Sequence, residues 1–333
     1  MQTYALKSVS GALLFSLIAG LGNPLILSAK ADEAIEPSTM IEVSDNEMAS
    51  NDRGPLTFDL DGKGTKTFDV SLDTTADKHR LQWNPAWPRF RVAEYAATGA
   101  MAAGIITANL TINTPSSPHW TGGILFDESV RNGLRATTQS GRDAANTASN
   151  IILYALIAMP VIDTGAVVLA GDKNPGVAWQ LFMLDAETMA VTATLMLTTK
   201  DLIGRERPYA RECAANPNAV GCDAADRNAS FISGHTAMSF ASAGLVCAEH
   251  RKLPIYGGGW PDKIACITAM AAATTDGALR IVADKHYATD VLAGAAVGLF
   301  SGYFLPNLLH FGNTSITPVA TPDYVGFSMT GGF

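Results

Sequence analysis

The sequence predicts an all-α fold, a bundle of six main helices with a small β-hairpin ahead of it. Three observations point there. From Arg91 onward the chain is rich in Ala, Leu, Met and Ile and breaks at Gly/Pro clusters, as successive helices do. Of 333 residues, 47% are hydrophobic and only 16% charged, enough to bury one large core. No solenoid-type repeat competes with that reading.

Taken in order, the first 31 residues read as an export signal. Lys7 supplies the positive start, Gly11 to Leu27 is largely apolar, and Ala29-Lys30-Ala31 has the small-x-small cleavage pattern. Residues 32–54 are acidic, polar and aperiodic, a disordered linker. In the appendage 55–90, LTFDL and KTFDVSL alternate on either side of Asp61-Gly62-Lys63-Gly64, the pattern of a hairpin. Trp83 and Trp87 are expected to pack against the helices. The helical domain covers 91–311. Its helices are expected near 91–110, 143–170, 176–203, 234–250, 261–281 and 286–309, with an amphipathic piece near 125–138. The tail, 312–333, is Gly/Thr-rich with a short strand expected at Tyr324–Met329.

A net charge of −8 argues against nucleic acid as a partner. Four cysteines in an exported chain can pair, and Cys213 and Cys222 bracket a short polar loop suited to a bridge. Closing it contributes about 2–3 kcal/mol in the chain-entropy picture. No cysteine spacing resembles a zinc site. Several helices are long enough to cross a bilayer, yet Asp163, Asp185, Glu187 and Thr274-Thr275-Asp276 interrupt them. The expectation is therefore a water-soluble periplasmic bundle with association at the membrane surface; an integral membrane protein is the alternative. Three spans before Lys200 would leave that end in the cytoplasm.

Three segments carry chemistry. Lys200 and Arg207 lie two helical turns apart, and Pro208 limits the helix, so both cations sit near one helix end. Such a pair suits a phosphate dianion, although alone it also reads as a solvated surface. Ser233-Gly234-His235 opens a helix whose first N–H groups can bind an anion, with Ser233 equally able to be a plain N-cap. Arg280 closes one helix and His286 opens the next, four residues before Asp290. A carboxylate holding one imidazole nitrogen leaves the other free to attack, while the plain alternative is a surface His–Asp pair.

In order and spacing the three segments resemble the motifs of the type 2 phosphatidic acid phosphatase superfamily. That superfamily includes bacterial class A acid phosphatases and vanadium haloperoxidases. Lys200…Arg207-Pro208 matches the first motif in full. In the second, Ile232 replaces proline ahead of Ser233, Gly234 and His235. In the third, Leu279 replaces serine ahead of Arg280, His286 and Asp290. The resemblance, closest in character to exported acid phosphatases, spans about residues 91–309. It implies a six-helix core bundle of that kind and a metal-independent phosphatase acting on phosphomonoesters, lipid phosphates among them. By this resemblance His286 attacks phosphorus and becomes a phosphohistidine, oriented by Asp290. His235 protonates the leaving alcohol and then activates water. Lys200, Arg207, Arg280 and the backbone around Ser233 and Gly234 hold the phosphate oxygens. The resemblance implies no cofactor; vanadate belongs to the haloperoxidase alternative, for which the chain is short. If His235 and Arg280 meet at one end, Cys247 and Cys266 lie at similar depth on antiparallel neighbours, and a second bridge is feasible.

Overall fold

Polar capping residues and prolines set the helix boundaries. In the computed structural model, residues 80–111 and 114–312 are described, Ala214 by its backbone alone, with the backbone of four strands besides. The signal segment 1–31 and the linker 32–54 lie outside the described residues. The chain forms two units, Met1–Lys78 and His79–Phe333. In the first, β1 (Leu56–Phe58) and β2 (Lys66–Phe68) pair antiparallel with Leu56 opposite Phe68, so the expected hairpin is present.

The second unit is helical. Its elements are α1 (Val92–Thr111), α2 (Asp127–Leu134), α3 (Gln139–Ile162), α4 (Pro175–Ile203), α5 (Gly234–Lys252), α6 (Trp260–Val282), α7 (Ala288–Leu299) and α8 (Leu305–Leu309). At the tail β3 (Ser315–Thr321) pairs antiparallel with β4 (Tyr324–Thr330), where a single strand was expected. α3 starts ahead of the expected 143 because the Thr138 hydroxyl caps it, accepting from the Gly141 N–H at 3.1 Å. Pro160 lies inside α3, and the helix widens into a π-helical stretch at Asp163–Gly171. Asn174 caps α4, whose first position is Pro175, and Gly204 ends it in the left-handed region at φ 55°. A second π-helical stretch, Phe300–Phe304, joins α7 to α8.

The centre of the bundle is α5, which packs against α3, α4, α6 and α7. Most of its residues are buried, including Ser239, Ser242, Glu249 and His250. A helix enclosed by others does not need an apolar surface of its own. α5 lies close against α7 and the π-helical stretch Phe300–Phe304 that follows, and the sequence shows why: Gly294, Gly298 and Gly302 recur at every fourth position. A Cβ on Gly298 would stand 2.3 Å from the Ala237 carbonyl oxygen, and one on Gly302 would stand 2.0 Å from that of Ala241. Gly298→Val is therefore expected to force α5 and α7 apart and cost about 1–3 kcal/mol, measured by denaturant unfolding. Unchanged stability would mean that the two backbones are not in contact.

At the opposite end from the α5 N-terminus, Trp83 and Trp87 pack edge-on, and both meet Phe311. This agrees with their expected packing role. Both cysteine pairs are bridged, Cys213–Cys222 in the loop between α4 and α5 and Cys247–Cys266 between α5 and α6.

The acids counted against membrane crossing all face inward. Asp163 and Asp276 are fully buried, and Asp185 and Glu187 nearly so. Asp163 accepts from the Tyr256 hydroxyl and meets His250, while Glu187 meets His310 at 2.8 Å. The outer faces instead carry Ile151, Val161 and Ile162 on α3, Ile264 and Ile267 on α6, and Leu292 on α7. Among the described residues, four helical stretches are long and apolar enough to cross a membrane: Gln139–Gly171, Pro175–Ile203, Trp260–Val282 and Ala288–Leu309.

Candidate active site

One end of the bundle gathers the end of α4, the start of α5, the end of α6 and the start of α7. These bring Lys200, Arg207, His235, Arg280 and His286 together. Lys200 comes from the last turn of α4. Gly234 lets it approach, since a Cβ there would stand 3.0 Å from the lysine Nζ and 2.5 Å from the Met196 sulfur. Arg207 follows the left-handed Gly204. Its Nη1 lies 3.1 Å from His286 Nε2 and 3.0 Å from the Lys285 carbonyl, and its Nη2 pairs with Asp226 at 2.9 Å. Arg280 donates to Asn146 Oδ1 at 2.9 Å and Ser149 Oγ at 2.8 Å, while its buried Nε has no protein partner. An unsatisfied guanidinium N–H, a lysine without a carboxylate partner among the described residues, and an arginine beside both form a cage short of negative charge.

His286 is buried, and its Nδ1 donates to the Ser230 carbonyl at 2.8 Å. That bond fixes the tautomer and leaves Nε2 with its lone pair toward the cations. Burial, and then Arg207, Arg280 and Lys200, hold this imidazole well below the ordinary histidine range. The neighbouring Arg207 likewise holds the Asp226 carboxyl low.

Asp290 differs from expectation. Its Oδ2 stands 3.8 Å from His286 Nδ1, beyond a hydrogen bond. Oδ2 accepts instead from the Ser230 hydroxyl at 2.6 Å and the Tyr287 N–H at 2.9 Å, and Oδ1 from Arg205 at 2.5 Å. The reason is local. Asp290 caps the first turn of α7, so the helix starts after His286, and the two residues never share a helical face. Ser230 lies between the two, its hydroxyl bonded to Asp290 and its carbonyl to His286. Ser233 also departs from the expected anion contact: its N–H donates to the Asp290 carbonyl and its hydroxyl caps Thr236. The first-turn N–H groups of Gly234 and His235 remain without intrahelical acceptors, as at any helix start.

Sequence reasoning missed a polar strip on α3. His235 Nε2 meets Asn150 Oδ1 at 2.7 Å, and Asn146 and Ser149 hold Arg280. The signal was present, because Asn146, Ser149 and Asn150 are spaced i, i+3, i+4 at the entry of an otherwise apolar helix. Arg205 was missed too. It is fully buried, bound to Asp127 at 2.7 Å as well as to Asp290, and sandwiched between Trp120 and Tyr287 at 3.9 and 4.1 Å.

The site gathers three cationic side chains and two histidines at one end of an all-α bundle. Residues 182–313 match the PAP2 superfamily. The chain is similar to lipid A 1-phosphatase of Porphyromonas gingivalis, 32% identical over 144 residues, which cover 42% of this chain and 27% of that protein. It thus spans about a quarter of that relative's length. A transmembrane PAP2-type phosphatidylglycerolphosphate phosphatase from Bacillus subtilis aligns over 64% of this chain and 92% of its own, at 20% identity and a TM-score of 0.42.

Proposed function

We propose that this protein is a membrane-embedded phosphatase that hydrolyses lipid phosphate monoesters through a phosphohistidine at His286. The observation that carries the reading is the His286 tautomer: Nδ1 is committed to the Ser230 carbonyl, so Nε2 is unprotonated and meets the Arg207 guanidinium at 3.1 Å, near Lys200 and Arg280. A phosphate dianion takes up the unused donors of Arg280, Lys200 and the α5 N-terminus, which places phosphorus against Nε2. Nε2 then forms a bond to phosphorus as the bond to the leaving oxygen breaks. Burial and Arg280 hold the His235 imidazole far below the ordinary histidine range. It carries its proton only once the phosphate dianion offsets the cations, and it then gives that proton to the leaving oxygen. Because Asn150 accepts from Nε2 of His235, the transferable proton sits on Nδ1. His235, now neutral, removes a proton from water, water displaces His286, and inorganic phosphate leaves. The cations stabilise the charge that spreads over the equatorial oxygens, so the chemistry needs no metal.

Similarity to a lipid A 1-phosphatase and the apolar outer faces support a lipid substrate. The Cys213–Cys222 bridge lies in the loop beside the cage, and such bridges persist in oxidising compartments. The site therefore faces the extracytoplasmic side. Phosphate release from p-nitrophenyl phosphate and from phosphatidic acid in EDTA tests the activity, with bromide oxidation in vanadate as the control for haloperoxidase chemistry. Bromide oxidation without phosphate release overturns the phosphatase reading. Resistance of membrane association to carbonate tests the embedding. Ser117 is exposed in the loop that His119 ties to Gly204 at the end of α4, so labelling of Ser117→Cys by an impermeant maleimide in spheroplasts tests the side.

The depressed imidazole has a pH consequence. A neutral nucleophile is retained as pH falls below the ordinary histidine value of about 6.5, so kcat/KM should show no acid limb there. Stability moves the other way. The unfolded chain takes up a proton near that pH while native His286 does not, so stability falls as pH drops through it. An acid limb centred on the ordinary value, in a pH–rate profile, would mean that the cations do not act on His286.

A further inference from the structure

We infer that the bundle carries a second, non-catalytic anion site, which binds the headgroup phosphate of an anionic phospholipid between Arg251 and Lys263. This rests on the membrane reading above. A cleft of about 570 Å³ opens between α5, α6 and the π-helical stretch Phe300–Phe304. Arg251 from α5, Lys263 from α6 and Tyr303 line it, above Ile267 and the Cys247–Cys266 bridge. Arg251 lies 16 positions beyond His235, about 24 Å at the helical rise, so the cleft is separate from the catalytic cage.

The charge balance of the cleft identifies its ligand. Arg251 donates to the Tyr303 hydroxyl at 2.7 Å, and the Lys263 ammonium lies 5.3 Å from the Trp260 ring centroid. Neither has a carboxylate partner among the described residues. The one acid in the wall, Asp262, is spent inward on His250 Nδ1, the Tyr256 N–H and the Gly258 N–H. Gly259, without a side chain, also lines the cleft. Two unneutralised cations on an open cleft form a complement for a phosphodiester.

The surroundings identify a lipid rather than a soluble anion. Trp260 and Tyr256 are exposed at this level, as aromatic residues at a membrane interface are. Exposed Ile264, Ile267, Phe300 and Phe304 continue along the flanking elements, an apolar path for acyl chains below a headgroup. Basic pockets between helices near a bilayer surface hold anionic headgroups in this manner.

The test uses detergent-solubilised full chain, with inorganic phosphate present to fill the catalytic cage. Phosphatidylglycerol in mixed micelles should raise the melting temperature, and phosphatidylcholine should not. Arg251→Gln with Lys263→Gln should weaken phosphatidylglycerol binding by about thirtyfold and leave p-nitrophenyl phosphate turnover unchanged. Both residues are exposed, so the double variant should melt as wild type does without lipid. Equal stabilisation by phosphatidylcholine, or full phosphatidylglycerol binding by the double variant, overturns the proposal alone. Extraction of the protein without detergent overturns the membrane reading and this site together.

Discussion

Replacing His286 by alanine is expected to lower phosphatase turnover by about 10⁴-fold or more while the bundle still folds, since it removes the proposed nucleophile. The fold should persist because α7 begins at Ala288 and is capped by Asp290, with His286 in the loop before it. The imidazole bonds the Ser230 carbonyl, which a water can satisfy in the space left behind. Acid-quenched wild type should carry a phosphorylated histidine, and the variant should carry none. Residual labelling in the variant would move the nucleophile elsewhere, with His235 the first alternative.

The second large effect is expected at Arg205, which makes no contact with the cage cations yet holds the frame behind them. Its guanidinium binds Asp127 and Asp290, both fully buried, and stacks between two aromatic rings. Arg205→Gln leaves two buried carboxylates without their cation, a loss of about 3–5 kcal/mol by the cost of breaking a buried pair. Asp290 then loses its fixed position, and with it the Ser230 hydroxyl that it anchors beside His286. Turnover should fall together with stability, and adding Asp127→Asn should restore part of the stability and little of the turnover. Thermal melts with parallel kinetics check this. A loss below about 1 kcal/mol would mean that water reaches the pair and that its burial is not maintained.

Which residues meet in the cage was legible because their spacing encodes them. Lys200 and Arg207 flank a helix end, Ser233 to His235 open a helix, and Arg280 to His286 bridge two helices. Each anchor therefore falls at a terminus, where backbone groups are unsatisfied and anions bind. The Gly294-Gly298-Gly302 stripe and the α3 strip of Asn146, Ser149 and Asn150 were equally visible as patterns. Their partners were not, because a pattern along one helix does not name the helix it faces.

The sequence by itself determined the all-α class, the six main helices, the residues that converge at one end, and the feasibility of both disulfides. These depend on local periodicity, capping and spacing, which are properties of adjacent residues. Tertiary structure alone decided the contacts between distant segments. The Ser230 carbonyl rather than Asp290 accepts the hydrogen bond from His286, Asn150 holds His235, and Arg205 ties Asp127 to Asp290, 163 positions apart in the chain. It also decided which way the intrahelical acids point, turning Asp163, Asp185, Glu187 and Asp276 inward and leaving an apolar exterior. The physical reason is the same in each case. Hydrogen-bond partners and solvent exposure are set by which helix faces are brought together, and the packing of α5 against its neighbours sets that.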